Sequence, residues 1–196
     1  MWQIAVDEPA AFELLSPRSL DEAVELSARH GSVSAVLAGG SDLLDQLKQH
    51  RRTPRYVINL KTIPDLRTLT VSGERISMGV ETTLGDLEPH NELSRLCPAL
   101  TKAASRVATP QIRNVGTVGG NLLQENRCPY FRGPWHCYRH GEIHCFAEHG
   151  FNREHAIFDG DRCYVVSPSD LAPVIVAGNA IVHVHGRQGA RTIPAE

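Results

Sequence analysis

The 196-residue chain carries almost no excess of charge of either sign. Its 22 acidic residues stand against 20 basic ones, which leaves a formal net charge of −2. A polyanion is held by a surplus of positive charge, so we do not expect a nucleic-acid-binding protein. Nowhere do about 18 apolar residues follow one another, which predicts no membrane span. The first eight residues lack a basic stretch before an apolar run, so no export signal is expected.

Cysteine is scarce and unevenly placed. Five cysteines are too few for a disulfide-stabilised secreted domain of this length, and an odd number argues against complete pairing. Four of the five lie between residues 128 and 163, in a segment without regular hydrophobic period. A compact domain seldom tolerates so long an irregular segment unless something orders it, and a metal site would do so.

Outside that segment the sequence predicts short alternating helices and strands. Ser19 and Glu22 have the spacing of a capping box, which indicates a helix over about 20–30 that ends at Gly31. Apolar runs at 33–38 and 56–60 indicate buried strands on either side of a second helix.

This pattern divides the chain into two expected subdomains. Residues 1–62 are predicted to form a βαβ subdomain and residues 63–196 a second one, with an insertion at about 122–166. Within the second, 66–71 and 75–80 flank a turn and predict a hairpin.

Two loops with paired glycines interrupt the regular pattern. Residues 38–43, Ala-Gly-Gly-Ser-Asp-Leu, lie between a predicted strand and helix, where backbone N–H groups and a helix dipole favour a phosphate. Residues 117–121, Thr-Val-Gly-Gly-Asn, would let a ligand approach the backbone closely. Neither loop matches the six-residue Rossmann glycine pattern or the P-loop. Each taken alone is equally well explained as a tight turn or a strained corner.

The two loops together are more specific than either loop alone. They lie about 80 residues apart, and Ser-Pro-Ser-Asp-Leu-Ala-Pro follows at 167–173. From Phe12 to Pro194 this combination resembles the FAD-binding subunit of the molybdenum hydroxylases, the xanthine dehydrogenase and aldehyde oxidoreductase family. The resemblance implies an α+β fold of the FAD-binding type-2 (PCMH/VAO-like) kind, with two α/β subdomains and a cysteine-rich insertion. We expect the C-terminal domain typical of the family to be absent.

The resemblance also implies a set of FAD-binding residues. Those on the pyrophosphate side would be Ala38, Gly39, Gly40, Ser41, Asp42 and Leu43. Those that contact the rest of the cofactor would be Thr109, Thr117, Gly119, Gly120, Asn121, Asp170 and Leu171. No catalytic residue is assigned.

The four clustered cysteines are Cys128, Cys137, Cys145 and Cys163. Four thiolates can hold either Zn²⁺ or a [4Fe–4S] cluster, and their spacing does not choose between the two. Residues 126–131 and 155–160 resemble the flavin subunits of periplasmic aldehyde oxidoreductases, a branch that, with the 4-hydroxybenzoyl-CoA reductases, carries a [4Fe–4S] insertion. That resemblance implies a cluster on all four cysteines. The alternatives are free buried thiols, or a nearby histidine in place of one cysteine.

The resemblance implies a redox subunit that is inactive alone. A molybdopterin-binding large subunit and a [2Fe–2S] small subunit would complete a heterotrimer or a dimer of heterotrimers. Electrons from an aldehyde or N-heterocycle would pass through the partner's iron–sulfur clusters to FAD and then to an external acceptor. The cytoplasm is the default location, and the periplasm is reachable through a partner's signal. The alternatives are a zinc-stabilised interaction module without flavin and a truncated, inactive fragment of the flavin subunit.

Overall fold

A computed structural model describes residues 8–158 and 160–196. The expectation about the first residues of the chain, and the Asp159 position in the segment 155–160, lie outside the described residues. No helix in the described ranges is both long and apolar enough to cross a membrane.

The chain forms two compact units. The first extends to Leu123 and resumes at Asp170, and the second comprises Gln124–Ser169. The predicted insertion at about 122–166 overlaps the second unit. Apart from the insertion, the two predicted FAD-binding subdomains fall in the first unit. The boundary between them near residue 62 therefore stays a prediction.

Most regular structure lies in the first unit. The strands of the described residues are β1 Glu13–Leu15, β2 Ser34–Leu37, β3 Tyr56–Asn59, β4 Leu69–Ser72, β5 Arg75–Met78, β6 Ile181–Gly186 and β7 Gly189–Pro194. Their α-helices are α1 Leu20–His30, α2 Leu43–Lys48, α3 Leu84–Leu87, α4 Asn91–Leu96, α5 Pro98–Arg106, α6 Pro110–Arg113, α7 Val118–Leu122, α8 Pro129–Arg132 and α9 Ala172–Ala177.

Strands β1, β2 and β3 form a parallel sheet in the order β1-β3-β2. Adjacent residues of the central strand face opposite sides, as the period of a strand requires. Val57 packs in one cluster with Leu43 and Leu47 of α2. Ile58 packs in another with Ala23 of α1. Helices therefore cover both faces of the sheet, which is the usual arrangement for parallel strands.

Helix α1 begins as the sequence predicts. The Ser19 hydroxyl accepts a hydrogen bond from Glu22 N at 3.2 Å, and Gly31 ends the helix with φ 51°. The Glu22 carboxylate does not close the box on Ser19 N but accepts from Arg18 N at 2.7 Å. The Ser19 half of the predicted capping box is therefore present, and the reciprocal bond of Glu22 is made to the N–H group of the residue before the N-cap.

The remainder of the first unit packs around a second apolar core. Leu84, Leu87, Leu93, Leu100 and Leu171 are each at most 2% exposed and lie in one cluster. The β4–β5 hairpin packs against this cluster. Since Leu171 belongs to it, the segment after the second unit is fixed to the helices that precede that unit.

Two segments differ from simple expectations. Thr109-Pro110 breaks the chain after α5 and at once begins α6, because proline is favoured in the first turn of a helix. Residues 118–122, within the glycine-rich stretch, form helix α7.

The second unit has little regular structure beyond α8 and a turn at Tyr138–His140. Its interior is small and partly polar. Ala147 is 1% exposed, and Cys137, His155 and Asn126 are also buried. The side chain of Arg132 closes the start of the unit, since its Nε donates to Asn126 O at 2.6 Å.

Candidate functional site

The first glycine loop, residues 38–43, follows the carboxyl end of β2. A Cβ atom at Gly39 would overlap the carbonyl oxygen of Val115, so this residue must be glycine for the backbones to pack. Gly40 has φ +98°, a left-handed conformation that side chains disfavour. The two glycines thus serve different ends: Gly39 permits contact with another segment, and Gly40 permits the turn.

Asp42 lies at the start of α2 without capping it. Its backbone is already helical, and its Oδ2 accepts a hydrogen bond from Gln46 Nε2 at 2.9 Å. This bond draws the carboxylate along the helix toward Gln46. The carboxylate is thus held by an amide donor of its own helix.

The first glycine loop packs on the segment that leads into the second loop. Gly39 packs on Val115 and Gly116, and a Cβ atom at Gly116 would lie 3.8 Å from Ser41 Oγ. The sequence linked the two loops only through resemblance. In the structure, close backbone packing connects the first loop to residues 115–116, directly before the second.

In the second loop, residues 117–121, backbone N–H groups already donate hydrogen bonds within the protein. The Thr117 hydroxyl accepts from Gly120 N at 3.1 Å, while Gly119 N donates to Val80 O at 2.9 Å. A Cβ atom at Gly119 would lie 2.8 Å from Val80 Cβ, so this glycine is required by packing. At Gly120 only the Thr117 hydroxyl is close, at 3.1 Å. Of the two glycines, Gly120 is therefore the one with room beside it.

Asn121 connects the second loop to the segment that follows the second unit. Its Nδ2 donates to Asp170 Oδ2 at 2.9 Å, and its Oδ1 accepts from Leu171 N at 3.1 Å. Asn121 is 7% exposed and Leu171 is fully buried. The side-chain amide of Asn121 thus holds these three predicted site residues together. Its hydrogen bonds also satisfy the need of a buried polar group for partners.

Thr109 lies further out, on the surface. Its hydroxyl caps α6 by accepting from Ile112 N at 3.4 Å. The segment from Thr109 into the second loop is held by Arg113, whose Nε donates to Glu88 Oε2 at 2.9 Å and whose Nη1 donates to Val107 O at 3.0 Å. The sequence did not predict this Arg113–Glu88 pair, because nothing in the local pattern links the two positions.

A buried carboxyl group, Glu81, was also missed. It is 4% exposed, and its Oε1 has no hydrogen-bond partner among the described residues. Burial raises the pKa of Glu81 above its ordinary value, although the charges of Lys61 and Arg67 act in the opposite direction. No local sequence signal identifies it, because its burial depends on how separate elements pack.

The four clustered cysteines lie in the second unit, where backbone hydrogen bonds connect the segments that flank three of them. Tyr138 N donates to His144 O at 2.8 Å, which brings the chain at Cys137 alongside the chain at Cys145. Ala156 N donates to Tyr164 O at 2.7 Å, beside Cys163.

Two of these thiols contact histidines. Cys128 Sγ lies 3.2 Å from His155 Nε2, and Cys137 Sγ lies 3.8 Å from His140 Nδ1. In the ranges that the structure describes, no group of three or more Cys, His, Asp or Glu side chains is arranged to hold a metal ion. The thiols supply suitable donors, but their present arrangement does not form a cluster site.

A set of aromatic contacts centres on Tyr130 in the second unit. Tyr130 lies 5.5 Å from Trp135, 5.8 Å from Phe146 and 6.3 Å from His155, measured between ring centroids. Phe151 N donates to the Tyr130 hydroxyl at 2.6 Å. Tyr130 thus links several parts of the second unit.

Solved structures define the class of fold. A chain in a structure of the cyanide-inactivated Cu,Mo-CO dehydrogenase matches 96% of this chain with a TM-score of 0.70 at 24% identity. Another, in a carbon monoxide dehydrogenase from Hydrogenophaga pseudoflava that lacks the Mo-pyranopterin moiety, matches the same share with a TM-score of 0.68 at 28% identity. The chain spans 52% of each of these chains. The chain shares the α+β fold of these matched chains, which confirms the fold class that the resemblance implied.

The family follows from the sequence itself. Residues 10–196 match the family described as the FAD binding domain in molybdopterin dehydrogenase. The chain belongs to this family, which confirms the resemblance stated above.

Two relatives illustrate the range of the match. The aldehyde oxidoreductase FAD-binding subunit PaoB of Escherichia coli K12 is 33% identical over 170 residues, 84% of this chain and 52% of that subunit. The carbon monoxide dehydrogenase medium chain of Hydrogenophaga pseudoflava is 37% identical over 114 residues, 58% of this chain and 40% of its own length. The chain therefore spans about half the length, or less, of these relatives.

The geometry of Glu81 predicts a pH-dependent stability. Folding raises the pKa of this carboxyl group, so its contribution to the free energy of unfolding is fully present below the unfolded pKa near 4.5. That contribution is lost as the pH rises through the folded pKa. Glu81→Gln should therefore raise the free energy of unfolding at pH 7, and the gain should shrink toward pH 4.5. Urea unfolding at several pH values measures this.

The matched control is Glu74→Gln in the exposed turn of the β4–β5 hairpin. It should leave the free energy of unfolding within about 0.5 kcal/mol of the parent at each pH. The measured quantity is the change in the free energy of unfolding that Glu81→Gln causes relative to the parent. A change that is less favourable at pH 7 than at pH 4.5 would contradict the assignment.

Proposed function

We propose that this chain is the FAD-binding electron-transfer subunit of a molybdenum-containing dehydrogenase that oxidises aldehydes or N-heterocycles. The observation that carries the proposal is the packing of the first glycine loop, at Gly39, on Val115 in the segment that leads into the second loop, together with the family to which the chain belongs. This packing holds the two ligand-type loops near one another, as a dinucleotide needs, because its pyrophosphate and its flavin end must be held together.

In this proposal the pyrophosphate lies on the first loop. Gly40 turns the chain in a left-handed conformation, and Ser41 beside it is exposed, so the backbone there is accessible to a phosphate. The pyrophosphate-side residues are those from Ala38 to Leu43. The short helix α2 is not required for this role, since the loop backbone and hydroxyl supply the donors.

The rest of the cofactor is proposed to lie near the second loop and the segment after the second unit. The residues involved are Thr109, Thr117, Gly119, Gly120, Asn121, Asp170 and Leu171. The room beside Gly120 and the fixed geometry of the Asn121–Asp170 pair support this part of the proposal. When bound, FAD supplies a centre that exchanges electrons singly or in pairs, and the chain binds and orients it.

The substrate and most of the electron path are assigned to partners. A molybdopterin-binding subunit would oxidise the substrate, and a subunit with [2Fe–2S] clusters would deliver electrons to this chain, in a heterotrimer or a dimer of heterotrimers. The names of the relatives support this, since they describe a medium chain and FAD-binding subunits of dehydrogenases and oxidoreductases.

We also propose that Cys128, Cys137, Cys145 and Cys163 hold a [4Fe–4S] cluster in the second unit. The paired hydrogen bonds at Tyr138–His144 and Ala156–Tyr164 support it, because they bring distant parts of this irregular segment together. The alternative is a structural zinc ion on the same thiols, which would staple the segment equally well. A zinc-stabilised interaction module without flavin would leave the contact between the glycine loops without a role.

The flavin assignment predicts the effect of a side chain at Gly120. Gly120→Val should reduce FAD affinity about tenfold or more, equivalent to about 1.4 kcal/mol, because the side chain fills the space where the cofactor approaches. The measurement is FAD bound per purified chain, with thermal unfolding to show that the fold persists. Gly186→Val is the control, since a Cβ atom there meets nothing within 4 Å. Equal FAD content in both variants would contradict the placement.

The cysteine assignment predicts a difference between clustered and isolated thiols. Replacing any one of the four by serine should lower iron from about four atoms per chain to less than about one. Cys97→Ser is the control, because Cys97 is half-buried against the apolar core of the first unit. Metal analysis and electron paramagnetic resonance on anaerobic protein measure this. About one zinc per chain and no iron would contradict the cluster and indicate a structural zinc ion instead.

The subunit assignment predicts that the chain is inactive by itself. The purified chain should oxidise neither aldehydes nor N-heterocycles, whatever its flavin content, and activity should appear only with partner subunits. An assay of electron-acceptor reduction with and without co-expressed partners measures this. Substrate oxidation by the chain alone would refute the assignment of the chemistry to a partner.

A further inference from the structure

Lys61 lies beside the first glycine loop because of the topology of the parallel sheet. Strands β2 and β3 are parallel neighbours, so their carboxyl ends, at Leu37 and Asn59, meet at the same edge. The first loop follows β2, and the turn Leu60–Thr62 follows β3. Ligands of open α/β sheets bind outside the carboxyl ends of the strands. Lys61 is therefore presented at the edge where a ligand of the first loop would lie.

The ammonium group of Lys61 contacts that loop. Its Nζ donates to Gly39 O at 3.0 Å. A second hydrogen bond fixes the backbone of the Leu60–Thr62 segment, since Asn59 Oδ1 accepts from Lys61 N at 3.2 Å. An ammonium group has three N–H donors, and the bond to Gly39 uses one of them. The Lys61 side chain is exposed, so a bound anion can reach it.

The charge of Lys61 is not neutralised by an ion pair. Its ammonium group has no carboxylate within ion-pair distance among the described residues, and its Nζ is bonded to a neutral carbonyl. Arg67, the other cation that acts on the buried Glu81 carboxyl group, is by contrast paired, since its Nη2 lies 3.1 Å from Asp86 Oδ2.

We propose that Lys61 is a binding residue for the phosphate groups of the dinucleotide on the first loop, a role that rests on the proposed FAD site. The ammonium group already lies against Gly39, the glycine that packs on the segment leading into the second loop. A phosphate held there gains a charge-assisted hydrogen bond, which is roughly twice as strong as a neutral one.

The test compares three lysine variants of the purified protein after removal of its flavin. Lys61→Gln keeps a donor for the Gly39 carbonyl but loses the charge, and it should raise the Kd for FAD about tenfold. Lys61→Arg should stay within about threefold of the parent, because guanidinium also binds phosphate. Lys48→Gln, the same charge change at the exposed end of α2, should leave Kd unchanged. Fluorescence titration with FAD, and with ADP as a competitor, gives these constants.

The dependence on salt separates a charge effect from a structural one. Salt screens the attraction between exposed charges, so the parent should bind FAD more weakly as salt increases, and Lys61→Gln should lose part of this dependence. An unchanged Kd in Lys61→Gln would overturn this inference while leaving the FAD site intact. A weaker Kd with the salt dependence of the parent would also overturn it. A parent protein that binds no FAD would overturn both this inference and the proposed function.

Discussion

The contact between Gly39 and the Val115 carbonyl oxygen is the constraint on which the candidate site depends. No side chain fits at Gly39, so the backbone of the first loop rests directly on the segment that leads into the second. The same residue offers its carbonyl group to Lys61. One position thus joins the carboxyl edge of the parallel sheet, the segment that leads into the second loop and a cationic side chain. The site is assembled by close backbone packing, which is rigid, and much less by flexible side chains.

The sequence predicted the elements whose causes are local. Helix α1 followed from Ser19 and Gly31, and the strands around α2 followed from their apolar runs, because caps and periodicity act within a few residues. Contacts between distant segments could not be predicted in this way. The pairing of Arg113 with Glu88 and the burial of Glu81 depend on how separate elements pack, and a single sequence carries no record of that. The glycine loops were recognised as ligand loops only through resemblance, since each alone is equally typical of a turn.

The cysteine segment shows the same limit in a different form. Its irregular sequence indicated that something must order it, and the structure shows that hydrogen bonds and the contacts of Tyr130 do part of this. Whether thiolates converge on a metal depends on the presence of the metal, because binding and local folding are coupled in such sites. The contacts of Cys128 with His155 and of Cys137 with His140 describe the segment with its thiols free. Neither sequence spacing nor these contacts selects iron or zinc.

The central claim is that the two joined loops of this chain bind FAD. The most direct measurement is the identity and stoichiometry of the nucleotide released when the purified protein, co-expressed with its partner subunits, is denatured. We expect one FAD per copy of this chain, identified by chromatography and by its visible absorption before release. A complex that forms and carries no flavin on this chain, or one that releases only a mononucleotide flavin, would contradict the account.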